Sequence, residues 1–389
     1  MKSCSYCGRE NDDTAAHCRE CGTELVPAQV KELERPPALP PSHLIDPAAV
    51  TSAYNFKEGF HRADWDIVRH WIQSNISPLD QSQAWSEAAL HWVSQLRDDV
   101  GAGYYVLQSE QAILLSDLPL PTARWVLDYA GRAGDTIKAH LKGVAWAGAT
   151  SKDVILIFSE EDDYYQYLAY YLKEGVQPQS GGMCINSGYT HIVIPWHDEL
   201  EAANVIVHEL THDSLAHLAL PCWLNEGVAV VLEKAVAPSP PYAGQSEQSA
   251  LYSAAINWRA PVMWDELAER HFAFWNEDNI QRFWAGTSFY EPGDSNQLSY
   301  SLAQVLVTLL NERGSSFLDF LERARFDDAG QTAALDILGI DLGDVAATFL
   351  GEGNWRPRRK VIADIWKTEG WTDCSTAKSS SSQEGNTKP

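Results

Sequence analysis

Between Thr51 and Val100 the apolar positions recur at helical spacing. Trp65, Val68 and Ile72 share one stripe, and Trp85, Ala89, Trp92 and Leu96 share another. The break at Ser77-Pro78 divides this stretch into two helices, a packing layer whose tryptophans lie in the core. The pattern then changes. Tyr104–Gln108 and Ala112–Leu115 are short runs separated by Ser109-Glu110, which predicts a hairpin. A helix is expected over about Thr122–Leu141, a buried strand over Val154–Phe158, and a tyrosine-rich helix from about Asp162 to Lys173. His191–Pro195 is a short strand candidate. Two helical segments follow, about Leu200–Leu220 and Asn225–Val236. After a Pro/Gly/Ser-rich loop at Pro238–Ser246 come further helices, including Leu298–Arg313 with Gly314 as its C-cap glycine. Strands and helices mixed in this way predict an α+β fold with a mixed sheet and a helical C-terminal lobe.

The ends of the chain carry different signals. Cys4-Ser5-Tyr6-Cys7-Gly8 and Cys18-Arg19-Glu20-Cys21-Gly22 are two CxxCG knuckles. Each brings two thiolates to one side of a tight turn, and four thiolates close a tetrahedral site with no open position. Cys4, Cys7, Cys18 and Cys21 therefore predict a structural zinc over residues 1–26. A module this small lacks a sufficient core, so metal binding supplies its folding energy. The pattern resembles the short zinc ribbons that open many bacterial proteins. Its mixed, slightly acidic charge suits docking to a protein partner. Residues 27–50, with Pro27, Pro36, Pro37, Pro40, Pro41 and Pro47, read as a semi-extended linker. The main domain is expected over 51–372, comprising a helical layer at 51–100, an α/β lobe at 101–236 and a helical lobe at 247–372. The Ser/Lys/Gly-rich tail at 373–389 reads as disordered.

Composition narrows the classes. The chain has 389 residues, 45% hydrophobic, with 29 basic and 53 acidic side chains and a net charge of −24. That balance argues against nucleic acid as a partner. The basic run Arg356–Lys360 reads as a solvated face. No apolar run is long enough to span a bilayer, and Met1-Lys2-Ser3-Cys4 lacks the apolar stretch of a secretory signal, so a cytoplasmic address is expected. Cysteine usage agrees, with Cys184, Cys222 and Cys374 scattered singly outside the knuckles.

The chemistry-bearing segment is Val205-Ile206-Val207-His208-Glu209-Leu210-Thr211-His212. Positions i and i+4 stack on one helix face, so His208 and His212 can aim ring nitrogens at one ion. Glu209 then reaches a water at the metal rather than the metal itself, the logic of an HExxH zinc-hydrolase signature. Thirteen residues separate His212 from Glu226, which lies in Trp223-Leu224-Asn225-Glu226-Gly227. With both motifs in order, the sequence resembles the gluzincin metallopeptidases, most strongly over about 181–236. That resemblance implies His208, His212 and Glu226 as ligands of a catalytic zinc, Glu209 as general base, and a peptide or protein as substrate. Aminopeptidases of the group carry a GxMEN-like segment whose glutamate holds the free amine. Here Gly181-Gly182-Met183-Cys184-Ile185-Asn186 has none, which points to an endopeptidase.

The resemblance extends to three further expectations. His191–Pro195 would be the edge strand that pairs with an extended substrate, an ordinary sheet edge being the alternative. Tyr300, opening a helix downstream, is the candidate oxyanion stabiliser. Asp213 either orients a ligand imidazole or is simply exposed on the helix. His191 and His197 read as packing or surface residues. A second functional class stays open: a non-catalytic scaffold or sensor that docks partners through its ribbon.

Overall fold

The computed structural model describes residues 2–4, 9–12, 14–15, 17–19, 43–145, 151–172, 181–237 and 261–369. The chain divides into two compact units. One comprises Val30–Arg132, Gly148–Ala202 and Ser375–Pro389, the other Met1–Gln29, Ala133–Ala147 and Ala203–Cys374. The expected loop at Pro238–Ser246, the tail and most of the linker lie outside the described residues. At the N-terminus, β1 (Lys2–Ser3) pairs antiparallel with β2 (Glu10–Asn11).

The first unit is built around a mixed sheet. Helix α1 (Pro47–Thr51) begins at Asp46, whose carboxylate accepts from the Ala48 amide. Strands β3 (Tyr54–Lys57) and β4 (Phe60–Ala63) then form an antiparallel hairpin. It turns through Glu58 and Gly59, at φ 50° and 84°. The expectation of helix from Thr51 onward is thus corrected at 54–63. Two left-handed residues at the turn match the twist of the flanking strands, and tyrosine and phenylalanine suit a pleated surface. Helices α2 (Trp65–Asn75) and α3 (Gln81–Val100) separate around Ser77-Pro78 as the periodicity predicts. Trp65, Val68, Ile72, Ala89, Trp92 and Leu96 are all buried.

Strands β5 (Tyr105–Gln108) and β6 (Ala112–Ser116) form the expected hairpin. After α4 (Leu120–His140) come β7 (Asp153–Phe158), α5 (Glu161–Ala169), β8 (Met183–Ser187) and β9 (Tyr189–Pro195). The sheet order is β5-β6-β7-β9-β8. Strands β6, β7 and β9 run parallel, and the outer strands β5 and β8 are antiparallel to their neighbours. The interior position explains why Val154–Phe158 is a continuous apolar run rather than an alternating one. It also overturns one expectation. His191–Pro195 lies within β9, which pairs on both sides, so it has no edge to offer a substrate; the edge belongs to β8. Met183–Ser187 is only weakly β-patterned, and long-range pairing with β9 decides its conformation.

His191 is a packing residue, as expected. It is buried, accepts from the Tyr167 hydroxyl at 2.8 Å and donates from Nδ1 to the Tyr189 carbonyl at 3.1 Å. Burial holds its pKa down at about 3, so it is neutral. Beside it Arg62, 4% exposed, lies 4.2–5.1 Å from the rings of Phe60, Tyr167, Tyr170 and Tyr171. One guanidinium nitrogen donates to the Tyr167 carbonyl at 2.9 Å, and the aromatic faces take the place of a carboxylate.

In the second unit, α6 (Glu199–Leu215, its residues from Ala203 onward) and α7 (Cys222–Val236) are followed by α8 (Pro261–Phe274), α9 (Ile280–Ala285), α10 (Asp294–Asn311), α11 (Ser315–Arg323), α12 (Leu342–Leu350) and α13 (Arg359–Glu369). Gly314, at φ 62°, marks the turn between α10 and α11. The basic run is solvated as expected, with Arg356, Arg359 and Lys360 exposed, and it carries surface ion pairs. Arg356 pairs with Asp341 at 3.0 Å, Arg358 with Asp278 at 3.4 Å, and Arg359 with Asp327. Among the described residues no helix is long and apolar enough to cross a membrane.

Gly188, which joins β8 to β9 at φ 83°, tests the packing of the sheet unit. A Cβ there would lie 2.5 Å from the Cβ of Trp65. Gly188→Ala is expected to cost about 1–3 kcal/mol through left-handed strain and overpacking, read as a lower urea midpoint.

Candidate metal centre

Helix α6 starts where the Asp198 carboxylate accepts from the amides of Leu200 and Glu201, both at 2.8 Å. Ala203, Ile206, Val207 and Leu210 then fall on one buried stripe, leaving His208 and His212 half-buried on the adjacent one. Helix α7 is buried almost all round. Asn225 and Glu226 are the half-buried positions in its first two turns, following Cys222, Trp223 and Leu224 and preceding Gly227 through Val230, all of them buried. Gly227 is where α10 approaches. A Cβ at Gly227 would stand 2.7 Å from the Ala303 carbonyl oxygen and 2.6 Å from Val307 Cγ2. The glycine that follows the candidate ligand is thus required by helix–helix contact.

These elements bring the predicted residues together. Glu226 Oε2 lies 3.3 Å from His208 Nε2 and 3.4 Å from His212 Nε2. The ligand atoms of His208, His212 and Glu226 all fall within 4.8 Å of one another. Two ligands about 2.05 Å from a tetrahedral zinc are separated by about 3.3 Å, so the two carboxylate–imidazole spacings are those of tetrahedral edges. The fit has a second sign: among the described residues Glu226 Oε2 is buried and makes no hydrogen bond, although it faces two imidazoles. A buried carboxylate oxygen in that state is costly unless a cation takes it.

Glu233 completes the arrangement from behind. It lies seven residues after Glu226 on the same face of α7, is buried, and its Oε2 is 3.2 Å from His208 Nδ1. With an ion bound, that contact would keep the His208 proton on Nδ1 and free the Nε2 lone pair for the metal. The sequence reading missed this residue. The available signal was an acidic position one heptad along an otherwise apolar helix. Asp213, considered for such a role, is half-buried, and His212 Nδ1 makes no hydrogen bond among the described residues. Glu209 is 4% exposed, and its charge acts on both imidazoles. Tyr300 lies on α10, one turn before Ala303, half-buried with its ring edge-on to Phe289 at 5.1 Å.

Electrostatics without a metal are coherent. Burial alone would push the His208 imidazole down, but the facing carboxylates of Glu226 and Glu233 override it and hold the pKa well above the ordinary value of 6.5. Burial likewise acts downward on His212, and Glu226 reverses it. Burial would raise the Glu226 carboxyl, yet His212 and His208 hold it far below 4.5. Protons on the imidazoles thus stand in for a cation.

At the N-terminus Cys4 and Cys18 are buried, while Cys7 and Cys21 lie outside the described residues. Asn11 organises this region. Its amide donates to Cys18 Sγ at 3.5 Å and to the Arg9 carbonyl at 2.8 Å, and accepts from the Arg19 amide at 3.0 Å.

No protein-family model matches the chain, and no curated protein matches it either. The case for the centre rests on its own geometry.

Two outcomes follow from that geometry. Glu233→Ala is expected to weaken zinc binding at the triad by about 10–100-fold, measured by chelator competition. The second concerns pH. The raised histidine pKa values stabilise the metal-free fold at low pH, and that contribution is lost as pH rises through them. The depressed Glu226 value contributes above 4.5 and is lost only as pH falls through it. A zinc ion bound at this cluster would have to displace the imidazole protons, so its increment in Tm should be larger at pH 8 than at pH 6.

Proposed function

We propose that the chain is a zinc-dependent peptidase of the gluzincin type, with His208, His212 and Glu226 holding the catalytic zinc and Glu209 acting as general base. The observation that carries this reading is the convergence of two imidazoles and one unsatisfied carboxylate oxygen at tetrahedral spacing, with the HExxH glutamate buried beside them. A zinc ion held there would polarise the scissile carbonyl and lower the pKa of the attacking water toward 7.

The rest is done by the chain's own side chains. Glu209 takes a proton from the attacking water and returns it to the departing amine. Glu233 keeps His208 in the tautomer that presents Nε2. Tyr300, one turn from the α7–α10 contact, is assigned as hydroxyl donor to the oxygen on which charge develops. The absence of a glutamate from Gly181–Asn186 favours an endopeptidase over an aminopeptidase. Cys4, Cys7, Cys18 and Cys21 are assigned to a second, structural zinc in a ribbon that docks a protein partner. The CxxC usage suits a reducing, cytoplasmic setting.

Glu209→Gln separates catalysis from metal binding. Zinc content should be retained while peptide cleavage falls by about 10²–10⁴-fold. Equal cleavage by both proteins removes Glu209 from the role. A wild-type protein that carries zinc yet cleaves nothing across a cellular proteome favours a scaffold instead.

A further inference from the structure

The N-terminal turn of α7 is fixed by a part of the chain a hundred residues further on. Trp223 is fully buried, and its indole N–H donates to the Ala329 carbonyl at 3.0 Å. Ala329 is itself buried and sits at φ 56°, a left-handed conformation unfavourable for a residue with a Cβ. The turn around it is tightly closed. The Gly330 amide donates to the Arg325 carbonyl at 2.9 Å, and the Asp328 carboxylate accepts from the amides of Gly330 and Thr332 at 2.9 and 3.0 Å. The same segment holds the connection between α6 and α7, because the Phe326 amide donates to the Ala219 carbonyl at 3.1 Å. Segment 326–329 therefore grips the chain on both sides of Pro221, the N-cap residue of α7, which makes no side-chain cap. Glu226 follows Trp223 by one helical turn.

We propose that Trp223 is a positioning residue of the metal centre: its indole N–H, held by the Ala329 carbonyl, fixes the rotation of α7 and so places the Glu226 carboxylate against His208 and His212. The inference rests on the reading of those three residues as a metal site. Metal–ligand distances tolerate only about 0.2 Å, whereas apolar burial is non-directional and does not by itself set the rotation of a helix to that precision. A directional hydrogen bond one turn before the ligand removes that freedom. Packing is a separate contribution of the same side chain, whose ring meets Trp284 edge-on at 5.5 Å and Phe283 at 6.3 Å.

The test separates the N–H from the ring. In the full-length chain, Trp223→Phe keeps an aromatic ring, and 3-benzothienylalanine at position 223 keeps the bicyclic shape while replacing N–H with sulfur. Zinc affinity of the triad is read by chelator competition. Geometry is read from the weak visible bands of Co²⁺ bound there, which are distinct from thiolate charge transfer in the cysteine module. Both variants should bind zinc about 10-fold more weakly, the size expected when an outer partner of a metal site is lost. Both should also show altered Co²⁺ bands. A variant with lower Tm but zinc affinity within twofold of wild type and unchanged Co²⁺ bands makes Trp223 a packing residue and overturns the proposal. Wild-type zinc uptake that is indifferent to His212→Ala overturns the metal reading itself, and the proposal with it.

Discussion

A carboxylate withdrawn from water requires a positive partner, and the centre of the helical unit is arranged around that requirement. Glu226 sits between two imidazoles on a helix whose neighbouring positions are almost all apolar. Glu209 and Glu233 add two more buried acids within reach of the same histidines. Three acidic groups in low dielectric repel one another strongly unless protons or a cation intervene. Without a metal, the histidines take protons and Glu226 gives its own up, which explains the opposite directions of their pKa shifts. A divalent ion bound there would supply the same charge at one point. It would also satisfy the Glu226 oxygen, which makes no hydrogen bond among the described residues.

The packing of the helices converts that charge requirement into a geometry. Two histidines one turn apart on α6 set one side of the centre. The other side depends on α7, and α7 has little polar surface by which to be oriented. Its position comes from close contact at Gly227, where the α10 backbone occupies the space a side chain would need. The indole bond from Trp223 to Ala329 adds direction to that contact. Glu233 acts on the opposite edge of His208. Each restraint is modest alone, and together they leave the Glu226 carboxylate few places to go.

The sheet unit solves a related problem without any acid. Arg62 is buried among four aromatic rings, and its hydrogen bond runs to a backbone carbonyl rather than to a carboxylate. The neighbouring His191 remains neutral because burial and the nearby guanidinium both oppose its protonation. Aromatic faces disperse one charge in this unit, whereas the helical unit concentrates several.

Much of this was legible along the chain. The HExxH spacing aligns two histidines through helix geometry alone, and the apolar residues before it identify the buried face. Helices, the hairpin at 105–116 and the strand at 153–158 follow local periodicity. Other features depended on residues far apart in sequence. The edge of the sheet went to Met183–Ser187 rather than His191–Pro195, since strand order is a matter of long-range pairing that a run of β-formers does not encode. The 54–63 hairpin was hidden inside an apparently helical stretch because its turn, Glu58-Gly59, is a weak local signal. Glu233 and Ala329 carry no motif, and their roles exist only once α6, α7 and the 326–329 segment have packed. Which side chains could serve as ligands was readable from the order of residues alone, because ligand chemistry and helical pitch are local properties. Tertiary structure decided where Glu226 points and what holds it there, because those depend on contacts between segments that the chain brings together only on folding.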